Sequence, residues 1–346
     1  MDPLGCRGHA WHHLHLGLLG RLWLAGTETM IGDCVKPLLL PYLMRRNLVL
    51  MIVCLSLSAC SLQGLVNHQL ANQLSADGLS SEDDVGLAHD ASAFYLKLSE
   101  ATLKNEPQHI ALAQAVTSGL TQYAYAFISQ AADELQSTDA EKSNQLRERA
   151  KRMYARAQTH GMKALELNQV GLTESLFTAN QVSATNSNAS RVSSSQPLKL
   201  DPQLVGLAYW SAAAWAARIS LSTDEPEVVA DFPQVVTLAQ LAYQTNPQFG
   251  KGSLASLLGV LEMARPGGSK SKALNYFDQA IQLANAQDAG PWVSKAESYA
   301  LPMGDKAQFE LLLTQTLEFS KTHHDLSSQI MSARAKWLLA QIEDLF

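Results

Sequence analysis

Residues 265–284 read RPGGSKSKALNYFDQAIQLA, and the spacing of small and aromatic side chains in this stretch decides the fold class. Ala273, Phe277 and Ala280 follow one another at intervals of four and then three residues, which places them on one face of a helix. Alanine lets a second helix approach closely, and the phenylalanine ring fills the gap between the two. The stretch therefore predicts a helix that packs against a neighbouring helix.

Partial matches to this pattern occur in order along the chain, and they comprise Ala157 with Gly161 and Ala164, Ala242 with Pro247, and the pair Leu258-Gly259. A tetratricopeptide repeat combines the same features: small residues at the helix contact, an aromatic filler, and a proline that closes the second helix. No window holds the complete pattern, so such repeats are degenerate. Alanine-rich helix pairs also arise in other helical bundles, but several ordered matches favour an all-α fold of stacked helical hairpins with degenerate tetratricopeptide-like (TPR-like) repeats.

Apolar residues recur every three and four positions from Val85 onward, and no stretch alternates as a half-buried strand would. The pattern predicts ten helices, at 85–104, 108–132, 139–168, 203–221, 225–245, 249–264, 269–285, 290–300, 305–320 and 325–344. Residues 180–196 are rich in Ser and Asn and almost lack large apolar side chains, so burial cannot offset the entropy of ordering them. We expect a disordered surface insert at 180–196 that divides the helical body, residues 85–346, into halves.

A leader-like segment precedes this body. Its head Met44–Asn47 is basic, Leu48–Leu57 is apolar, and Ser58-Ala59 leads into Cys60. The order resembles a bacterial lipoprotein signal, in which the Cys60 thiol is acylated and becomes the first residue after cleavage; the alternative is a buried helix that contains a cysteine. The pattern predicts a signal peptide at 44–59 and a lipidated tether at 60–84. Because a leader that also included residues 1–43 would exceed the usual length, we interpret 1–43 as a mis-annotated upstream extension, with Met44 rather than Met1 as the start.

The surroundings of Cys60 also predict a compartment. Ser61 rather than an aspartate follows Cys60, which in bacteria with two membranes resembles the sorting pattern for the outer membrane. Cys6, Cys34 and Cys54 all precede Cys60, so the cleaved chain has no other thiol for a disulfide, a zinc site or a nucleophile. We therefore expect a periplasmic protein whose lipid anchors it to the outer membrane. Within the tether, apolar residues at helical spacing predict a short helix, and they are Leu65, Val66, Leu70 and Leu74.

Enzyme motifs are missing from the sequence. It has no HExxH, GxSxG or Walker A motif, and the G-x-G-x-x-A run Gly250–Ala255 follows a predicted helix, not the strand that a dinucleotide site needs. Arg265–Lys272 could hold an anionic group at a helix start, but a turn capped by Ser269 or Ser271 is the favoured interpretation. The net charge of -6, without a long Lys/Arg cluster after Arg46, argues against a nucleic-acid partner. We predict a non-enzymatic protein with no catalytic residue, metal or cofactor.

Aromatic residues supply the candidate binding surface. Tyrosine and tryptophan combine a large apolar area with a polar tip, so several of them along stacked hairpins could line a channel for an apolar ligand with a carboxylate end, or dock a partner. Taken singly, each of these residues favours a core position. The candidate ligand-lining or docking residues are Tyr123, Phe127, Tyr209, Trp210, Trp215, Trp292 and Tyr299, and Tyr125 is expected to point away from the face that Tyr123 and Phe127 share.

Taken in order behind this leader, several segments resemble the T-component family of TRAP transporters, which are periplasmic lipoproteins built on cryptic TPR-like helix pairs. The segments are Ala91–Leu96, Tyr123–Phe127, Ala155–Asn168, Tyr209–Trp215, Arg265–Gly268 with Ala273–Phe277, and Val293–Ala300. The resemblance implies a non-enzymatic partner of a substrate-binding P subunit, whose ligand is passed to an ion-coupled permease in the inner membrane.

Two functions stay open from the sequence. In the first, the protein docks the P subunit and holds an apolar or organic-acid ligand, which requires an apolar cavity lined by several of the aromatics. In the second, it is a TPR-like lipoprotein scaffold for an envelope assembly unrelated to transport, which requires a solid core and an exposed peptide groove. Alanine-rich faces are also compatible with a homo-oligomer, although no seam is identifiable.

The lipid anchor is directly testable. Labelled palmitate should be incorporated into the chain expressed in a bacterial host, and Cys60→Ser should abolish the label because the acylated thiol is gone. Cys54→Ser, within the apolar segment, is the control and should keep the label. Label that persists in Cys60→Ser would rule out the predicted anchor.

Overall fold

The computed structural model describes residues 66–75, 82–185 and 198–346, and every regular element in these ranges is helical. This confirms the all-α prediction of stacked helical hairpins. The main helices are α1 (Val85–Asn105), α2 (Ile110–Tyr123, continued by the π-helical segment Ala124–Ser129 and the α-helical segment Gln130–Leu135), α3 (Ala140–Asn168), α4 (Leu172–Thr185), α5 (Val205–Ser220), α6 (Phe232–Thr245), α7 (Ser253–Ala264), α8 (Lys270–Ala284), α9 (Gly290–Lys295, continued by the π-helical segment Ala296–Ala300), α10 (Lys306–Ser320) and α11 (Leu326–Ala340).

Shorter helical pieces lie between and after these helices. They are Pro202–Leu204, Pro226–Val229, Phe249–Gly252 and Ile342–Leu345. The single helix predicted at 225–245 is therefore two, because Pro233 stands in the first turn of α6, where a proline starts a helix more readily than it continues one. Residues 66–75 are also helical, with Leu74 buried, which confirms the short helix predicted there.

Short polar side chains begin several of the helices. Asp84 Oδ1 accepts a hydrogen bond from the backbone N–H of Leu87 at 3.0 Å, and Asp139 Oδ1 accepts one from Lys142 at 2.9 Å. Each bond satisfies a backbone donor that has no partner inside the helix, so these aspartates fix where α1 and α3 start.

The α7–α8 hairpin is built as the residues of α8 predict. Phe277 is completely buried, and Ala273 and Ala280 are buried beside it. Gly259 of α7 faces the ring: a Cβ at that position would lie 2.9 Å from three of the Phe277 ring carbons. Gly252, at φ 98, lies against the backbone of α8, where a Cβ would be 2.4 Å from the Ala280 carbonyl oxygen. The glycines of the G-x-G-x-x-A run therefore shape a tight turn between helices.

Gly161 has a different role from the aromatic filler that its position in the repeat pattern suggested. A Cβ at Gly161 would lie 2.1 Å from Ser211 Oγ of α5 and 3.1 Å from Thr117 Cγ2 of α2. Glycine is therefore the residue that lets α5 and α2 reach the surface of α3. Ala157 and Ala164, on either side, are buried in the same contact region.

The expectation that residues 180–196 divide the body into halves is wrong. Helices α3 and α5, which lie on either side of that stretch in the sequence, pack against each other, and one hydrophobic core runs from Ala71 to Leu261. A second cluster of buried side chains begins at Val293 and ends at Leu338. The division in the packing therefore comes after α8, where the C-terminal helices form their own core.

Helix α4 was missed by the sequence analysis, and it extends through 185 into the stretch predicted to be disordered; residues 186–196 of that stretch lie outside the described residues. Leu172 and Leu176, one turn apart, are buried against the core. The Glu166 carboxylate accepts hydrogen bonds from the N–H groups of Gly171 at 2.6 Å and Thr173 at 2.9 Å, which fixes the start of α4. Polar residues lower helix propensity by less than about 1 kcal/mol each, so a helix anchored in this way can continue through them.

The last helix returns to the first part of the chain. Gln329 of α11 donates a hydrogen bond to the Asp83 carbonyl oxygen just before α1, and α11 also contacts α1 itself. In the described ranges, no helix combines the length and the apolar character that crossing a membrane requires.

The α7–α8 contact gives a stability prediction. Phe277→Ala should lower the free energy of unfolding by about 3–5 kcal/mol, because it leaves a cavity against Gly259. Phe94→Ala is the matched control, since Phe94 is 73% exposed, and it should change stability by less than about 0.5 kcal/mol. Denaturant unfolding followed by circular dichroism measures both values. Similar losses in the two variants would contradict the proposed packing.

Candidate functional site

A cavity of about 330 Å³ lies between helices α7 and α9, with single contributions from α2, α5 and α11. Its wall is rich in hydroxyl groups, which belong to Tyr125, Tyr209, Ser253, Ser256, Ser294 and Ser298. Two carboxylates, Asp288 and Glu297, complete the polar part, while Leu257, Val260 and Met331 are among the apolar residues. A volume of this size is at the lower end of the range for small-molecule sites.

Both π-helical segments contribute to this cavity. Tyr125 comes from the segment Ala124–Ser129 of α2, and Glu297 and Ser298 come from the segment Ala296–Ala300 of α9. A π-helical turn holds one more residue than an α-helical turn, so it changes the direction of the side chains within and beyond it. Tyr125 lies in the cavity wall and Tyr123 and Phe127 do not, in agreement with the expectation that Tyr125 points away from the face that those two residues share.

Arg334 of α11 joins α2 and α9, the two helices that contain the π-helical segments. Its Nε and Nη2 atoms donate to Glu297 Oε1 at 3.0 and 2.5 Å, and its Nη1 donates to Asp133 Oδ2 of α2 at 2.9 Å. The guanidinium lies over the ring of Trp337 at 4.7 Å, and the Arg334 side chain is only 12% exposed. One buried cation therefore holds α2, α9 and α11 together, with good geometry for a charge-assisted pair.

Burial raises the pKa of three groups of the wall, Glu297, Tyr209 and Tyr125. Burial raises the pKa of Glu297, and the neighbouring Arg334 partly offsets this effect. Burial also raises the pKa of Tyr209 to about 12, with Asp288 contributing in the same direction. The pKa of Tyr125 is raised by burial and by the nearby Glu297. Both tyrosines are therefore neutral hydroxyl groups at physiological pH, able to donate or accept a hydrogen bond.

The structure brings one of the seven candidate aromatics into the cavity wall, Tyr209. Trp210 packs edge-on against Tyr209, with ring centroids 4.8 Å apart, and is not part of the wall. Trp215 is buried in the main core, and Trp292 packs edge-on against Phe319 in the C-terminal one. The positions of Trp215 and Trp292 match the core interpretation of the individual aromatics, while a role in binding stays a prediction.

The remaining candidates lie in other places. Tyr123 and Phe127 form a cluster with His89 of α1, whose ring is 5.6 Å from Tyr123 and 4.9 Å from Phe127. Tyr299 lies 6.2 Å from the ring of Phe277, next to the α7–α8 contact. Cys60 lies outside the described residues.

The residues missed by sequence analysis are Tyr125, Glu297 and Arg334. Arg334 is 37 positions from Glu297 and 201 from Asp133, so no local spacing could indicate the network. The sequence carries no signal for the π-helical segment that contains Tyr125.

The carboxylate of Glu262 binds the positively charged loop Arg265–Lys272. Buried Glu262 accepts from the Ser269 N–H at 2.8 Å and from Arg265 Nη2 at 2.5 Å, and Lys272 Nζ lies 3.4 Å from it. Ser269 Oγ caps α8 by accepting from the Lys272 N–H at 3.2 Å. The loop is thus the predicted turn, with Ser269 as the cap, and Glu262 pairs with two of its three cations, Arg265 and Lys272. Across the described residues, no three His, Cys, Asp or Glu side chains converge so as to hold a metal ion.

Comparison with known proteins identifies the family. Residues 81–346 match the family model described as TRAP transporter T-component. The chain belongs to the TRAP transporter T-component family. This T-component is also 25% identical over 317 residues to an uncharacterized protein of Treponema pallidum (strain Nichols), in a match that covers 85% of this chain and 95% of that protein.

A solved structure is also similar to this T-component. It is the crystal structure of a thermophilic TPR protein from Thermus thermophilus, at 16% identity and a TM-score of 0.42. The match covers 79% of this chain and 99% of that one. The family resemblance inferred from the ordered segments is confirmed by the family match.

The Arg334 network gives a second stability prediction. Arg334→Met should lower the free energy of unfolding by about 3–5 kcal/mol at neutral pH, because it leaves Glu297 buried without its cation. Removing Arg334 also raises the already elevated pKa of Glu297. A group with a raised pKa in the folded state stabilises the fold below its unfolded pKa, and this contribution disappears as the pH rises through the folded value. The deficit should therefore be smallest below about pH 4.3, the ordinary pKa of glutamate, and grow towards pH 7.

Denaturant titrations of Arg334→Met at several pH values measure this effect. Lys306→Met is the control, since it breaks the exposed pair with Glu343 and should cost less than about 1 kcal/mol. A deficit in Arg334→Met that is independent of pH would mean that Glu297 is not the group left uncompensated.

Proposed function

We propose that this protein is a non-enzymatic, periplasmic component of a TRAP-type transport system, which docks the substrate-binding P subunit and holds a small ligand. The observation that carries the proposal is the family match, which covers residues 81–346 and thus nearly all of the helical body. Association with other TRAP subunits follows from membership of that family. In this proposal, the lipid on Cys60 attaches the protein to the outer membrane.

In this proposal, the P subunit docks on the exposed side of α1. Phe94 is 73% exposed and Leu87 is 56% exposed, and their positions two helical turns apart place both on the same face. Tyr123 and Trp215, named as docking candidates from the sequence, are buried and cannot provide a contact surface in this conformation. Exposed large apolar side chains on one helix face are typical of an interface with another protein.

Ligand handling is supported by the cavity. A scaffold unrelated to transport needs a solid core and an exposed peptide groove, whereas this body has a cavity of about 330 Å³ lined in part by two tyrosines and two carboxylates. The wall combines apolar side chains with hydroxyl groups and two carboxylates. It also contains no lysine, arginine or histidine among the described residues, so an organic-acid ligand would find no opposite charge there.

Docking through α1 is tested by binding of the purified P subunit of the same transport system to the immobilised T-component. Phe94→Asp should weaken binding at least about tenfold, because it puts a charge into a desolvated apolar contact. Val170→Asp introduces the same charge at a loop residue that is 88% exposed, and it should bind as the wild type does. No binding by the wild type would refute docking itself, and equal losses in both variants would refute the α1 face.

A further inference from the structure

The cavity carries negative charge that its own wall does not neutralise. Asp288 Oδ1 accepts a hydrogen bond from the Gly290 N–H at 2.8 Å, but Asp288 takes part in no ion pair with any described residue. Glu297 has Arg334 as its partner, and both of those bonds end on Oε1. Asp133, the other carboxylate that Arg334 binds, also accepts from Arg147 Nη2 at 3.3 Å, so the unbalanced negative charge of the wall is that of Asp288.

Two cations near the cavity, Lys295 and Arg334, are paired with other carboxylates or lie outside the wall. Lys295 lies on α9, two residues before Glu297, and its Nζ binds Asp278 of α8 at 2.6 Å. Neither Lys295 nor Arg334 belongs to the wall. The described part of the wall therefore presents carboxylates, neutral hydroxyl groups and tyrosine rings to a ligand. Such a set recognises positive charge, since carboxylates supply the opposite charge and aromatic faces attract ammonium groups.

An unpaired hydroxyl group points to a ligand independently of the charge. Ser256 of α7 lies in the cavity wall and is only 7% exposed, and its Oγ has no hydrogen-bond partner. Buried polar groups in folded proteins are almost always paired, so an orphan of this kind needs a reason. A ligand that carries a hydroxyl or amino group would supply the missing partner.

We infer that the cavity binds a small organic cation, a protonated amine or quaternary ammonium compound that also carries a hydroxyl group. Its positive charge lies towards Asp288 and Glu297, its carbon atoms contact the apolar part of the wall, and its hydroxyl group pairs with Ser256. The inference rests on the proposed ligand-holding function and names the class of ligand. An organic acid of similar size is disfavoured by the same two carboxylates.

The charge requirement is tested with choline and its neutral isostere 3,3-dimethyl-1-butanol, in which a carbon atom replaces the ammonium nitrogen. Isothermal titration calorimetry on the purified protein should give saturable binding of choline, binding of the isostere at least about tenfold weaker, and no binding of succinate. Ethanolamine, a smaller hydroxylated amine, should also bind. Equal binding of choline and the isostere, binding of succinate, or no binding of either amine would overturn the inference.

Three variants locate the site. Asp288→Asn keeps an oxygen that can accept from Gly290 but removes the charge, so it should weaken choline binding about tenfold. Ser256→Ala should also weaken binding, while the Tm of the unliganded protein should not fall, because the removed hydroxyl group has no partner in the protein. Asp344→Asn removes an exposed carboxylate outside the cavity and should leave binding unchanged.

Choline binding and P-subunit binding test the two proposals separately. If the P subunit binds normally to the wild type but choline does not, the ligand class is wrong and the docking proposal stands. If choline binds and the P subunit does not, the cavity assignment stands without docking. Choline affinity that is unchanged in both Asp288→Asn and Ser256→Ala would place the cation outside this cavity.

Discussion

Close contact between helix backbones is the constraint on which the rest of this structure depends. At Gly161 and Gly259, a single added Cβ would overlap Ser211 or the Phe277 ring, and the alanines beside them are buried in the same contacts. Because tightly packed interiors do not deform continuously, such contacts fix the distance and angle between neighbouring helices. The helices that line the cavity are held in the same stack, since α7 packs on α8 and α5 on α3. The position of the wall residues is therefore set by small residues that never reach the cavity.

The polar interior is organised by a different kind of contact. The pairing of Arg334 with Glu297 and Asp133 places buried charge between three helices, where replacement by apolar residues would often be at least as stable. Its presence next to a cavity suggests a functional reason for the charge. Glu297 belongs to a π-helical segment, and such segments are frequent at binding sites because they redirect individual side chains without ending the helix.

The repeat fold could be predicted because its signals are local. The spacing of Ala273, Phe277 and Ala280 gave the α8 face, and Leu258-Gly259 gave its partner helix. Helix α4 was missed since its stability comes from two buried leucines and from Glu166, which is earlier in the chain, and not from its own polar residues. The site was mostly missed for the same reason. Tyr209 was found as one aromatic among seven, whereas Glu297 and Arg334 become neighbours only through packing of distant helices.

The contacts of α11 with the beginning of the domain also affect how the chain acquires its structure. In an open array of repeats, each hairpin needs only its neighbours, and folding can proceed from one end to the other. Here Gln329 and Arg334 reach back to Asp83 and Asp133. During synthesis the chain leaves the ribosome with its N-terminus first, so both π-helical segments are available before Arg334, the cation that joins them. The interior is therefore completed only after α11 has left the ribosome.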